Sequence, residues 1–206
     1  MPHELRNIGE QNIDTFRELG NIGAGNAATA LATILNMQIS MSVPEVAVVP
    51  FDHIINILNG PENLVAGVLV NMSGDLNGYI LMILEMKDAY GMTSLALQRE
   101  RKPGQEMVLD ELEQSTLTEI ANILVGSYLS AIGAMTGLST MPSVPQLAVD
   151  MVGAIISIVL IEYGKIGDSV LFLKTKFSDV HKSMNGHFFL IPDFDSYKVL
   201  MKSLGL

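Results

Sequence analysis

Two side-chain pairs in this chain have the types and spacing to do chemistry, and they are the same pair twice. Glu18 and Asn21 stand three residues apart, with Asp14 one helical turn before them and Pro44 well beyond. The pattern returns 101 residues later, without a gap, as Ser115, Glu119, Asn122 and Pro145. A carboxylate can pair with a cation on a partner. A carboxamide offers both a donor and an acceptor, so it can hold a water in line with a phosphorus atom, as a positioned Gln does in GTPases. Flanking positions repeat as well: Thr15/Thr116, Ile22/Ile123, Gly25/Gly126, Ala30/Ala131, and Ser42-Val43-Pro44 against Ser143-Val144-Pro145. Chance rarely repeats polar residues at fixed spacing.

Such groups act only if something holds them on one face. Residues 8–35 read as a long helix, because Phe16, Leu19, Gly23, Ala27, Ala30 and Ile34 recur at steps of three and four. At about 100° per residue, Asp14, Glu18 and Asn21 share an arc of roughly 60° pointing away from that stripe. Ser115, Glu119 and Asn122 do the same on a second helix, about Val108 to Met135. Both polar rows are expected to be exposed. Gly25 and Gly126 continue each row and leave room for another molecule to approach the helix backbone. The bland alternative, a solvated helix face, suits one copy better than two.

Around the helices, strands are expected near Val46–Val49, Leu64–Val70 and Gly78–Glu85, then near Leu147–Val149 with Ala154–Ile161, Ser169–Phe177 and His187–Ile191. A helix from about Lys87 to Gln98 closes the first half, and a charged, Pro-Gly-broken seam follows at Arg99 to Gly104. A last helix starts at Asp193, a good N-cap. Each half of about 100 residues looks too small to bury its sheet alone. The expectation is α+β: residues 1–206 as a single pseudo-twofold domain of two internal repeats, about 1–100 and 105–206. A mostly antiparallel sheet of about six strands would carry the two long helices.

Composition narrows the partners. The net charge of −10, with 12 Lys and Arg among 206 residues, argues against nucleic acid and against an anionic membrane surface. Zero cysteines exclude disulfides, thiolate zinc sites and cysteine nucleophiles. His3, His53, His181 and His187 show no ligand spacing, so no metal site is expected. The start lacks signal-peptide character, and the apolar run Met151 to Ile161 is shorter than the roughly 20 residues a span needs. That run reads as a buried strand and the protein as cytoplasmic, with no membrane insertion. Gly20 to Ala28 contains a Gly-x-Gly-x-x-Ala run, but it lies inside a periodic helix instead of opening one, and its second copy loses Gly20 and Gly23 to Ala121 and Leu124. Close helix packing explains those glycines better than a nucleotide loop.

Asp14-x3-Glu18-x2-Asn21-x22-Pro44 and Ser115-x3-Glu119-x2-Asn122-x22-Pro145 resemble the signature of the CheC/CheX/FliY phosphatases of bacterial and archaeal chemotaxis. The run Glu18 to Asn26 is most similar to CheC-type members, and the likeness covers essentially the whole chain. Two intact motifs set it apart from CheX-like members, and with the last residue at Leu206 the extra flagellar-switch domain of FliY is not expected. The resemblance implies hydrolysis of the aspartyl phosphate on the response regulator CheY. Asn21 and Asn122 would position the attacking water, and Glu18 and Glu119 would engage the regulator's active-site lysine. Asp14, Ser115, Pro44 and Pro145 would support them, the prolines by setting the strand entry. It implies no cofactor of the chain's own, the Mg²⁺ belonging to CheY. It further implies the receptor deamidase CheD as a partner, and a monomer or a heterodimer with CheD. Gln146 to Met151, including Asp150, is the expected contact, because an apolar strand with one charge follows the second motif. A non-catalytic adaptor or decoy that binds CheY-phosphate or CheD is the rival reading.

Overall fold

The computed structural model describes residues 10–50, 53–99, 108–163, 169–179 and 183–206. The elements in the first half are α1 (Glu10–Leu35), β1 (Ser40–Pro50), α2 (His53–Ile57), β2 (Leu64–Gly74), β3 (Gly78–Glu85) and α3 (Met86–Leu97). The second half supplies α4 (Glu111–Thr136), β4 (Thr140–Pro142), β5 (Gln146–Met151), α5 (Val152–Tyr163), β6 (Ser169–Ser178), β7 (Ser183–Pro192) and α6 (Phe194–Ser203). His3, His181, the first two residues of the expected first helix and most of the Arg99–Gly104 seam lie outside the described residues.

All seven strands join one antiparallel sheet in the order β1-β6-β7-β3-β2-β4, with β5 also paired to β2. The halves interleave. β1 pairs with β6 from the second half, and β4 and β5 pair with β2 from the first. Neither half therefore holds a continuous sheet of its own. The α+β class and the near-six-strand antiparallel sheet match the sequence expectation, because β4 and β5 lie along the same neighbour as two pieces of one strand position.

Strand alternation loads both faces of the sheet with apolar side chains, so helices cover both. On one face α1, α3 and α4 pack Phe16, Leu31, Met92, Leu117, Leu124 and Tyr128 against Leu173, Phe188 and Leu190. On the other, α2 and α5 pack Ile54, Leu58, Ile155 and Val159 against Ile83, Phe172 and Phe189. Burying one such Leu, Ile or Phe side chain contributes about 1.5–3 kcal/mol. Of the described helices, α4 alone is long and apolar enough to cross a membrane by length and composition, but much of its apolar surface is buried inside the protein.

Three sequence expectations need correction. Ala154–Ile161 is not a strand but most of helix α5. Val152, Ile155, Ile156 and Val159 are its buried positions, at steps of three, one and three. The apolar Ile158, Leu160 and Ile161 fill the intervening, exposed positions, so a helical stripe looked like a continuous run. Ile34 does not complete the core stripe of α1. It is 61% exposed, while Leu31 is buried and Leu35 is half-buried beside Phe177 and Met184, so the inward stripe passes through Leu31 and Leu35. Finally, Pro44 does not mark a strand entry. It lies inside β1, where the register against β6 shifts between Ser42 and Glu45. Helix α2 and strand β4, both short, went unseen.

Gly20 and Gly23 of α1 are packing residues, as expected. A Cβ on Gly23 would stand 2.5 Å from Cδ1 and 3.2 Å from Cα of Tyr128, so α1 and α4 lie in close contact here. A Cβ on Gly20 would stand 3.0 Å from Leu173 Cδ2 and 3.3 Å from Val43 Cγ1, where α1 lies on the sheet. Tyr128 is buried, its hydroxyl 3.0 Å from Thr175 Oγ1, and burial pushes its pKa up to about 12 against the smaller opposing effect of that hydrogen bond.

Candidate functional site

On α1, Asp14, Arg17, Glu18 and Asn21 are all exposed and, with Ile22, line one open concavity. Helix geometry explains the grouping. The same turn that buries Phe16 and Leu19 at 2% exposure turns Asp14, Glu18 and Asn21 outward. Arg17 forms an ion pair with Asp14, one turn earlier, through Nη1 and Oδ1. The two side chains are 47% and 69% exposed, and a pair so solvated contributes about 0.2–1 kcal/mol, so it is easily exchanged for another partner.

Asn21 has a backbone partner. Its Oδ1 accepts from the Val43 N–H at 3.3 Å. A main-chain N–H can only donate, so the carboxamide oxygen is the end engaged here and the amide nitrogen is not used by this contact. The donor is available because of its place in β1: the ladder with β6 is irregular between Ser42 and Glu45, and Pro44 has no N–H to offer. Val43 itself is buried and fixes that segment beneath α1. The repeated Ser-Val-Pro tripeptide was weak notice of this contact and carried none of its direction.

On α4, Ser115, Glu119 and Asn122 are likewise exposed, one turn apart in the same order. The helix is well anchored at its start: Asp110 caps it by accepting from the Glu113 N–H at 2.8 Å, while the Glu113 carboxylate accepts from the Asp110 N–H at 2.9 Å. The surroundings of the pair differ from those on α1. Thr118 stands where α1 has Arg17, and its hydroxyl donates to the Gln114 carbonyl at 2.8 Å. Pro145 stands immediately before β5, in the break between β4 and β5, and Val144 is 82% exposed. No hydrogen bond joins Asn122 to Val144 among the described residues. Instead Ser143 turns toward β2: its N–H donates to the Asn71 carbonyl at 2.8 Å, and its Oγ accepts from the Asn71 N–H at 3.0 Å.

Two glycines extend these surfaces. Nothing lies within 4 Å of where a Cβ would sit on Gly25 or on Gly126. Gly25 is exposed and Gly126 half-buried. Both leave a helix backbone open to close approach.

Asp150 is elsewhere. It lies on β5, whose residues are mostly exposed, and its Oδ1 accepts from the Met151 N–H at 2.7 Å. Val149 and Met151, its neighbours on β5, and Ile158, Leu160 and Ile161 on α5 also present exposed apolar side chains. Among the described residues, no three His, Asp or Glu side chains come together in a way that could hold a metal ion. Of the described histidines, His53 is exposed, while His187 is partly buried beside Phe172, where desolvation pushes its pKa below the usual imidazole range.

Comparison with known proteins places this arrangement. A family model described as the CheC-like family matches residues 13–48 and 112–148, two segments that each carry one Glu-x-x-Asn pair and its proline. The "CheY-P phosphatase CheC" of Bacillus subtilis (strain 168) is 35% identical over 200 residues, covering 96% of this chain and 96% of that protein. The "Flagellar motor switch phosphatase FliY" of the same organism is 33% identical over 137 residues, covering 66% of this chain and 34% of that protein. Among solved structures, Thermotoga maritima FliY superposes with a TM-score of 0.76 at 18% identity, covering 97% of this chain and 98% of that one. The FliM middle domain from H. pylori superposes at 0.68 and 11% identity, over 95% and 99% of the two chains. At such identities these structures share the fold and carry no further argument.

Proposed function

The chain belongs to the CheC-like family, and from that premise we propose that it is a phosphatase that removes the phosphoryl group from the aspartyl phosphate of a CheY-type response regulator. The observation that carries this reading is the exposure, on two long helices, of a carboxylate and a carboxamide one turn apart: Glu18 with Asn21 and Glu119 with Asn122. Neither pair stands beside a group of side chains that could hold a metal ion among the described residues. Each makes a poor complete active site and a good insert into one.

In the proposed reaction α1 or α4 lies against the regulator's phosphorylated pocket. Glu18 or Glu119 pairs with the regulator's lysine and fixes the docking, a charge-assisted contact that gains strength as water is excluded. Asn21 or Asn122 holds a water in line with phosphorus, so most of the catalysis is positioning. The water oxygen bonds to phosphorus, the bond to the aspartyl oxygen breaks, and that electron pair stays on the carboxylate. Inorganic phosphate leaves. The Mg²⁺ is the regulator's in this scheme. Asp14 and Ser115, Pro44 and Pro145 support the pairs from the same helices and the following strands, and residues 1–206 act as one domain with two sites.

For the second proposed partner, the receptor deamidase CheD, the support is the exposure of Val149, Asp150 and Met151 on β5 and of Ile158, Leu160 and Ile161 on α5. Docking surfaces combine an apolar core depleted of charge with a polar rim.

The deciding experiment is phosphate release from phosphorylated regulator at sub-stoichiometric amounts of this protein. Many phosphates per molecule are expected from the native chain, and none above the regulator's own rate from Asn21→Ala/Asn122→Ala. Both side chains are exposed, so the double variant is expected to keep its fold. Undiminished release from it would overturn the mechanism, and a stoichiometric effect without turnover would replace it with sequestration.

A further inference from the structure

The concavity on α1 holds one group that the roles of Glu18 and Asn21 leave unused, the guanidinium of Arg17. At about 100° per residue, Arg17 lies roughly 40° around the helix from Asn21, on the side away from Glu18. Viewed down the helix axis, the carboxamide lies between the other two, about one turn further along the helix. If Glu18 meets the regulator's lysine and Asn21 meets the water at phosphorus, Arg17 faces the remaining side of the phosphoryl group.

Two observations single this residue out. First, its resting partner is Asp14 in a solvated ion pair on the same helix, so the guanidinium is held near the site by a contact that a second anion can displace. Second, the pair is present or absent as a unit. On α4 both members are replaced by uncharged residues, Ser115 and Thr118, and the Thr118 hydroxyl is committed to the Gln114 carbonyl. A chain with 12 basic residues and a net charge of −10 places one of them against the proposed reacting group in one site and leaves the other site without it.

We propose that Arg17 is a phosphoryl ligand in the first site. Released from Asp14, it donates hydrogen bonds to equatorial phosphoryl oxygens whose charge grows as the bond to the aspartyl oxygen stretches, while Asn21 holds the water. A guanidinium suits this because it is planar, permanently charged and forms two parallel bonds to a phosphoryl group. It neither gains nor loses a proton. Asp14 is a positioning residue, keeping Arg17 over the concavity between turnovers. The proposal rests on the reading of Glu18 and Asn21 given above.

The test uses the full chain with the second site disabled by Asn122→Ala. In that background, Arg17→Ala is expected to lower kcat for phosphate release about tenfold or more with KM within about twofold, and Arg17→Lys to recover part of the loss. Thr118→Arg, placed in the Asn21→Ala background, is expected to raise kcat of the second site. A raised KM that grows with salt, at unchanged kcat, would overturn the proposal by assigning Arg17 to acidic side chains around the regulator's pocket. Unchanged kcat and KM would overturn it outright. Failure here is separable from failure of the parent reading: if Asn21→Ala/Asn122→Ala abolishes release while Arg17→Ala does not, only the role of Arg17 falls.

Discussion

α1 and α4 are both 26 residues long and present the same Glu-x-x-Asn pair, yet the two surfaces differ in what stands behind and beside that pair. On α1 the carboxamide oxygen is tied to the Val43 N–H, a cation and an anion flank the pair, and the supporting strand is continuous through its proline. On α4 the carboxamide has no such tie, the flanking residues are neutral, and the strand is broken at residues 143–145. The difference in the tie comes from the β-structure about 22 residues after each Asn, and the difference in flanking charge from the helices themselves. Repeating a motif does not repeat its rigidity. A group already held in its working orientation loses less entropy on reaching the transition state, so the first site should be the faster one.

The largest expected effect tests that ranking. Asn21→Ala should lower phosphate release by about fivefold more than Asn122→Ala does, measured at saturating phosphorylated regulator. Equal losses would mean that the Val43 contact does not matter to rate. A larger loss from Asn122→Ala would mean that it holds Asn21 back.

Next in size is the shared foundation of both sites. Gly23→Ala would drive a methyl group into the Tyr128 ring and toward its backbone, with contacts of 2.5 and 3.2 Å that side-chain rotation alone cannot relieve. A stability loss of about 2 kcal/mol is expected in urea unfolding, even after the gain in helix propensity. Since this crossing joins α1 to α4, the variant should slow both sites together and leave their ratio unchanged. A change in the ratio would show that the inequality is set at the helix crossing and not in the strands.

How much of this was legible in the sequence follows from the range of each interaction. The polar rows could be read because positions three and four apart meet on one helix, whatever surrounds it. The class of fold could be read from the order of elements. The cover of the second sheet face was harder: Ile158, Leu160 and Ile161 are apolar yet exposed, which erased the helical period of α5. The interleaving of β1 with β6 and of β5 with β2 left no mark at all, because strand neighbours are chosen by tertiary packing. The Asn21–Val43 hydrogen bond spans 22 residues and depends on an irregular register, so only its ingredients were visible.

A smaller effect separates the helices at their starts. Asp110→Ala removes the side-chain acceptor that caps α4 and half of its reciprocal pair with Glu113. The expected cost is about 1 kcal/mol in thermal or urea unfolding. Because Glu119 and Asn122 lie at least two turns further along, the second site should keep its kcat. If kcat of the second site falls with the cap, its pair depends on the helix start in the way that the first depends on β1.

The smallest effect is the most informative about docking, because stability and activity should move in opposite directions. Gly25→Ala and Gly126→Ala each place a methyl group where nothing lies within 4 Å, so neither can clash within the chain. Each should raise stability by up to about 1 kcal/mol through helix propensity. A residue that only costs stability is explained if the space it leaves is used by something else. If the regulator's backbone comes against these helices, each substitution should raise KM for its own site, and Gly25, the more exposed of the two, should show the larger rise. Higher stability at unchanged KM would place the regulator further toward the helix start, over Asp14 and Arg17 on α1 and over Ser115 and Thr118 on α4.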